Sequence, residues 1–181
     1  ADTDSYYGGF WSVTSPSAAL EAGRGYAARI YNAPLTLDAT GTPHTGAVNI
    51  PVTHTISSVT GADGWNLLGN PYAASIKWSS LKALNPGVTG GACYRFTATG
   101  EYSGNWSAHN GVTGVPANTS DEIASFQGFF VQAPANGTMV FDKSICTAGT
   151  TTAYYKTGEL ENEIRLQLSN GIATDEVVTY T

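Results

Sequence analysis

The chain has 181 residues and a formal net charge of -6, and only 12% of its side chains are charged, against 21 glycines. That length buries a sizeable core without metal or disulfide support, so no cofactor is needed for stability and none is expected. Eight Lys and Arg against 14 Asp and Glu form no basic stripe, which excludes nucleic acid as a partner, and no apolar run approaches the roughly 20 residues of a membrane span, so no membrane insertion is expected.

Residues 6 to 14 alternate and stop at Ser15-Pro16-Ser17, and 25 to 31 with 35 to 38 predict a hairpin around Asn32-Ala33-Pro34. Val48, Ile50, Val52 and Ile56 then fall on alternate positions with only His54 interrupting, the clearest period-two signal in the chain. Pro51 lacks an amide donor, which makes this strand an edge or a bulged one. The segment Gly64 to Tyr72 predicts a buried strand ending in an Asn70-Pro71 turn, with Gly64 and Gly69 permitting close approach and Trp65 and Leu67 filling one face.

Ile76, Trp78, Leu81 and Leu84 stand near helical spacing, predicting one short helix of about two turns, capped by Ser75 or Ser79 and stopped by Pro86-Gly87. Trp65 and Trp78 are assigned to the core. Strands follow over 92 to 97, 101 to 107 and 127 to 132, with a loop rich in Asn, Gly, Thr and Pro over 108 to 120. The tail, Glu163 to Leu168 and Asp175 to Tyr180, predicts a hairpin around Ser169-Asn170-Gly171, and its position suggests that the natural protein continues.

One pattern occurs twice. Trp11 leads to Gly25-Tyr26 and to Leu35-Thr36-Leu37-Asp38, and Trp106 leads to Gly128-Phe129 and to Met139-Val140-Phe141-Asp142. Duplication of this kind points to stacked β units. The expected architecture is all-β, an internally duplicated antiparallel β-sandwich of jelly-roll-like form with one short helix. Its first β unit spans 1–60, a second packed on it spans 61–162, and a C-terminal hairpin spans 163–181. Cys93 and Cys146 are an even pair at strand ends, and a single disulfide between them is expected in an oxidising compartment.

The run Gly64-Trp65-Asn66-Leu67-Leu68-Gly69-Asn70-Pro71-Tyr72, followed by Trp78, Gly100-Glu101-Tyr102 and Gln127-Gly128-Phe129-Phe130-Val131-Gln132-Ala133, resembles a β-sandwich module of large secreted and cell-surface proteins of the Bacteroidetes exported by type IX secretion. Ile164-Arg165-Leu166 with Asp175-Glu176, and Leu20 to Tyr26, extend the resemblance over most of the chain. It implies a secreted or cell-surface module with neighbouring domains in a larger chain. No reaction is implied.

Asp38, Asp142, Asp121 and Glu122 are the internal carboxylates of note for acid/base hydrolysis, but an Asp repeated at a strand end caps a turn more often than it catalyses. His44, His54 and His109 show no ligand spacing, so no metal site is expected, and no nucleophile elbow, metal helix or phosphate loop is present. The expectation is therefore not an enzyme. Four Trp and ten Tyr in a weakly charged chain suit stacking against the C–H faces of sugars. The expected function is a non-catalytic carbohydrate-binding or adhesion module for a polysaccharide or other glycan. Tyr7, Trp11, Tyr102 and Trp106 are the expected platforms, with His109 and Asn110 as polar neighbours. The alternatives are a spacer or docking module in which Trp11 and Trp106 plug the core, and an accessory domain of a polysaccharide-degrading enzyme.

Overall fold

The computed structural model describes residues 19–27, 42–56, 58–99, 103–147, 163–169 and 174–180. The strands are β1 (Val48–Val52), β2 (Trp65–Gly69), β3 (Ser75–Lys77), β4 (Cys93–Ala98), β5 (Gly104–His109), β6 (Gly114–Val115), β7 (Glu122–Ile123), β8 (Gly128–Gln132), β9 (Gly137–Phe141), β10 (Cys146–Thr147), β11 (Glu163–Ser169) and β12 (Thr174–Tyr180). The helix α1 (Trp78–Leu84) follows β3, and a 3-10 turn (Lys143–Ile145) precedes β10. All described pairings are antiparallel, so the all-β expectation holds. The strands form a five-stranded sheet, β2-β8-β4-β5-β6, a three-stranded sheet, β10-β3-β7, and the pairs β1-β9 and β11-β12.

Alternation within the five-stranded sheet sends Leu68, Cys93, Phe129 and Val131 inward, where they meet Val48, Ile50 and Val52 of β1 and Met139 and Phe141 of β9 in one core cluster. Phe129 links the layers, with ring centroids 6.5 Å from Phe141 and 6.2 Å from Trp78. Each such fully buried side chain contributes roughly 1.5–3 kcal/mol before the entropy of ordering is subtracted. Among the described residues β1 pairs only with β9, which puts Pro51 on an edge strand there. The strand is shorter than its alternation predicts, because the Asn66 amide binds both the N–H and the carbonyl of Thr53 and draws the chain off the sheet. Ile56 is left 81% exposed.

The segment after β1 bears out its motif. Gly64 has a φ of +69°, and a Cβ there would sit 2.7 Å from His54 Nδ1. Asn70 makes the Asn-Pro turn by donating to Ala74 O and Ala124 O and accepting from Tyr72 N. The two Gly-aromatic segments of the repeat lie on opposite edges of β2: Gly128 pairs with Gly69 on one side, and Gly25 N donates to Leu67 O on the other. The predicted strand 6–14, the hairpin arm 35–38 and Asp38 lie outside the described residues.

The helix differs from expectation in its ends. Ile76 belongs to β3 and Leu84 is 40% exposed, so only Trp78 and Leu81 serve the core. Neither Ser75 nor Ser79 caps it; the N-cap position is Lys77, which gives no side-chain bond. At the other end Asn85 is buried, donates to Leu81 O and Val140 O at 2.8 Å, and accepts from Val140 N at 2.7 Å. This one amide ties α1 to β9. Asn85→Ala would strand three backbone partners, one buried and two partly buried, and we expect a loss of about 2 kcal/mol, read as a lower urea midpoint with an unchanged slope.

The expected disulfide is not formed, and both cysteines are free thiols. Cys93 sits in the five-stranded sheet opposite His109 and Val131, whereas Cys146 pairs with Ile76 in the three-stranded sheet, so the two belong to different layers. Burial pushes the Cys93 thiol from an ordinary 9.0 up to about 11. A thiol whose folded value is raised contributes stability below its unfolded value and loses it as pH climbs through the folded one. The native protein should therefore lose stability between pH 9 and about 11, with Cys93→Ala reducing that decline in urea titrations.

Candidate functional site

Two faces of one sheet carry different chemistry, and strand parity separates them. On β5, Trp106 and Ala108 point to the outer face while Ser107 and His109 point inward, since successive side chains alternate. On β4, Tyr94 and Phe96 are outward and Cys93 and Arg95 inward, the latter pair buried.

The outer face is aromatic. Trp106, opposite Phe96 in the ladder, is 55% exposed and Phe96 is 45% exposed. Their centroids lie 5.1 Å apart with planes at 54°, and Trp106 makes an edge contact with Phe130 of β8 at 5.3 Å. A second pair, Trp65 on β2 and Tyr94 on β4, meets edge to face at 5.0 Å. The expected core position of Trp65 is thereby corrected: it is half-buried on the outer face, with its indole N–H donating to Gly61 O at 3.0 Å, because Leu68 is the β2 residue that turns inward. Trp78 is core as expected. The row needs Gly104, since a Cβ there would stand 2.7 Å from Phe96 Cε2. Thr97 and Asn105, paired in the ladder and exposed at the same end of the β4–β5 hairpin, share the parity of Arg95 and Ser107 and so lie on the face opposite the rings.

The inner face holds a polar network centred on Asp121. Its main-chain oxygen accepts from Trp78 N at 2.9 Å, and its carboxylate accepts from Ser79 N at 3.0 Å and from the Ser79 hydroxyl at 2.5 Å. Asp121 is thus the cap of α1, supplied from 42 residues away. Arg95 fixes the segment that carries it by donating to the carbonyls of Ser120 and Glu122. His109 Nδ1 lies 3.2 Å from Asp121 Oδ1 and 3.1 Å from the amide nitrogen of Gly111, which donates to it. Carrying a proton, that nitrogen donates to Asp121; without one, it accepts from Gly111.

The order Ser79, Asp121, His109 resembles a hydrolytic triad only in composition. Acyl transfer needs the imidazole between serine and carboxylate to take the hydroxyl proton, and here the carboxylate stands in the middle. Among the described residues no cluster of His, Cys, Asp and Glu suits a metal ion. Beside the network an open hollow of about 400 Å³ is lined by residues including Ser79, Lys82, Asn110 and Val112, with Lys82 Nζ donating to Asn110 O at 2.9 Å.

Of the residues singled out from sequence, only Trp106 is found on the aromatic face. His109 is 6% exposed on the opposite side of the sheet, and the Asn110 side-chain oxygen Oδ1 accepts from Val112 N and Thr113 N in a tight turn, so neither is a polar neighbour of Trp106. That turn also splits the predicted 108–120 loop, which contains the end of β5 and all of β6. Tyr7, Trp11 and Tyr102 lie outside the described residues. Asp142, weighed as an acid, caps the 3-10 turn by accepting from Ser144 N at 2.9 Å, and that bond holds its carboxyl below the ordinary range. The alternation Tyr94-Arg95-Phe96 was a signal for the missed aromatics.

Asp121→Ala should lower stability by about 2 kcal/mol through loss of the cap and the orphaning of Ser79, while Asp121→Asn keeps an acceptor and should retain roughly half of it. Urea midpoints of both variants check this.

No curated protein and no solved structure matches the chain. A family model described as a domain of unknown function (DUF8693) matches residues 3–173, and the chain belongs to that family.

Proposed function

We propose that this domain is a non-catalytic module of a secreted or cell-surface protein and that it binds glycan through the outer face of the five-stranded sheet, with Trp106 as the central stacking ring. One observation carries the reading: Trp106, more than half exposed on β5, is held on a sheet face by contacts with Phe96 of β4 and Phe130 of β8. A large aromatic left open and braced by two other rings is costly as mere packing and suits a ligand with an apolar C–H face. The resemblance of the Gly64 to Tyr72 and Gln127 to Ala133 runs to modules of surface proteins supports the location.

A second reading, a docking face for a neighbouring protein domain, draws on Val115, which is 70% exposed at the far edge of the same face and offers no hydrogen bond. The two separate in affinity gels. Glycan binding predicts retardation by a polysaccharide, with Trp106→Ala weakening it by about 1–3 kcal/mol, the range for aromatic stacking on a planar ligand, and leaving the unfolding midpoint within about 0.5 kcal/mol of the parent. No retardation in any polysaccharide gel leaves the docking reading in front.

A further inference from the structure

The aromatic face also limits the kind of glycan, an inference that rests on the binding reading above. We propose that the ligand is a single chain of an uncharged polysaccharide, neither a polyanion nor the face of a crystalline polymer.

The first half of the argument is charge. The strands of the five-stranded sheet contain one formally charged side chain, Arg95, and it is 1% exposed on the inner face with its guanidinium bonded to Ser120 and Glu122 carbonyls. No Lys or Arg of these strands is therefore present on the outer face to pair with a uronate or sulfate. The chain as a whole carries a net charge of -6, so a polyanion would meet repulsion at long range and no compensation on contact with the sheet. An uncharged chain meets neither penalty.

The second half is ring geometry. Binding to a crystal face needs several rings in one plane, so that all of them touch a flat surface together. Here Phe96 and Phe130 are inclined to Trp106 by 54° and 65°, and Tyr94 to Trp65 by 71°. A plane on which Trp106 lies flat meets Phe96 and Phe130 at a steep angle, and Trp65 and Tyr94 cannot lie flat on one plane together. A separate chain has torsional freedom at every linkage and can follow tilted rings one sugar at a time.

The test uses the whole chain in affinity gels and pull-downs. Hydroxyethyl cellulose and soluble xylan stand for neutral chains, alginate and polygalacturonate for polyanions, and microcrystalline cellulose and powdered chitin for crystal faces. The inference expects retardation by a neutral soluble polymer, with a dissociation constant that changes less than about twofold between low and about 0.5 M salt, since no ion pairs are made. It expects roughly tenfold weaker binding in Trp106→Ala and in Phe96→Ala, and none in Phe126→Ala, whose exposed ring lies outside the row. Retention by alginate or polygalacturonate that salt releases, or depletion by either powder, overturns the inference while leaving glycan binding intact. Absence of binding to all six overturns both.

Discussion

A helix of seven residues does not hold itself together in water, and this one begins at a lysine that offers it no cap. What fixes it is the Asp121 carboxylate, delivered from a distant segment onto Ser79 and backed by the main-chain bond to Trp78. The rest follows in order. With α1 held at its start, Trp78 and Leu81 are driven into the core, and Trp78 reaches Phe129, which in turn meets Phe141. Asn85 then closes the other end of the helix against β9. Asp121 can do this only because the guanidinium of Arg95, buried beneath it, holds the carbonyls on either side. A buried cation that satisfies backbone oxygens is expensive to desolvate, and it is stable here because its partners are placed by the sheet itself.

This arrangement explains how a sheet can leave a row of aromatic rings open on one side. The inner face of the five strands supplies the apolar burial and the polar network, so the outer face is relieved of any structural task beyond bracing its own rings. Phe96 over Gly104 and the edge contact between Trp106 and Phe130 give the outer rings fixed orientations at little conformational cost, the property a binding surface needs.

How much was legible in the sequence depended on range. Local devices were readable: the Asp142 cap spans two residues, the Asn70-Pro71 turn four, and period-two alternation located β1, with Pro51 marking an edge or a bulge. The Asp121 cap spans 42 residues, and nothing in the composition near Ser79 points to it; Ser75 and Ser79 look like caps because serine is a good local one. His109 was misplaced for a different reason. Trp106 and His109 are three positions apart, an odd step that puts them on opposite faces of a strand, but a strand predicted over 101 to 107 carries no parity as far as His109. Trp65 failed as a core residue because an apolar run says that a strand is covered without saying on which side.

The same parity has a consequence for how this domain can vary. β5 presents Trp106 to solvent and His109 to the buried carboxylate, so one strand writes two messages on its two sides. Insertion or loss of a single residue between them would exchange the sides, sending an indole toward the polar network or an imidazole out among the rings. Substitutions can retune the outer row one position at a time, but changes of length are tolerated there only in pairs. The surface and the scaffold are thus free to diverge in chemistry while remaining locked together in register.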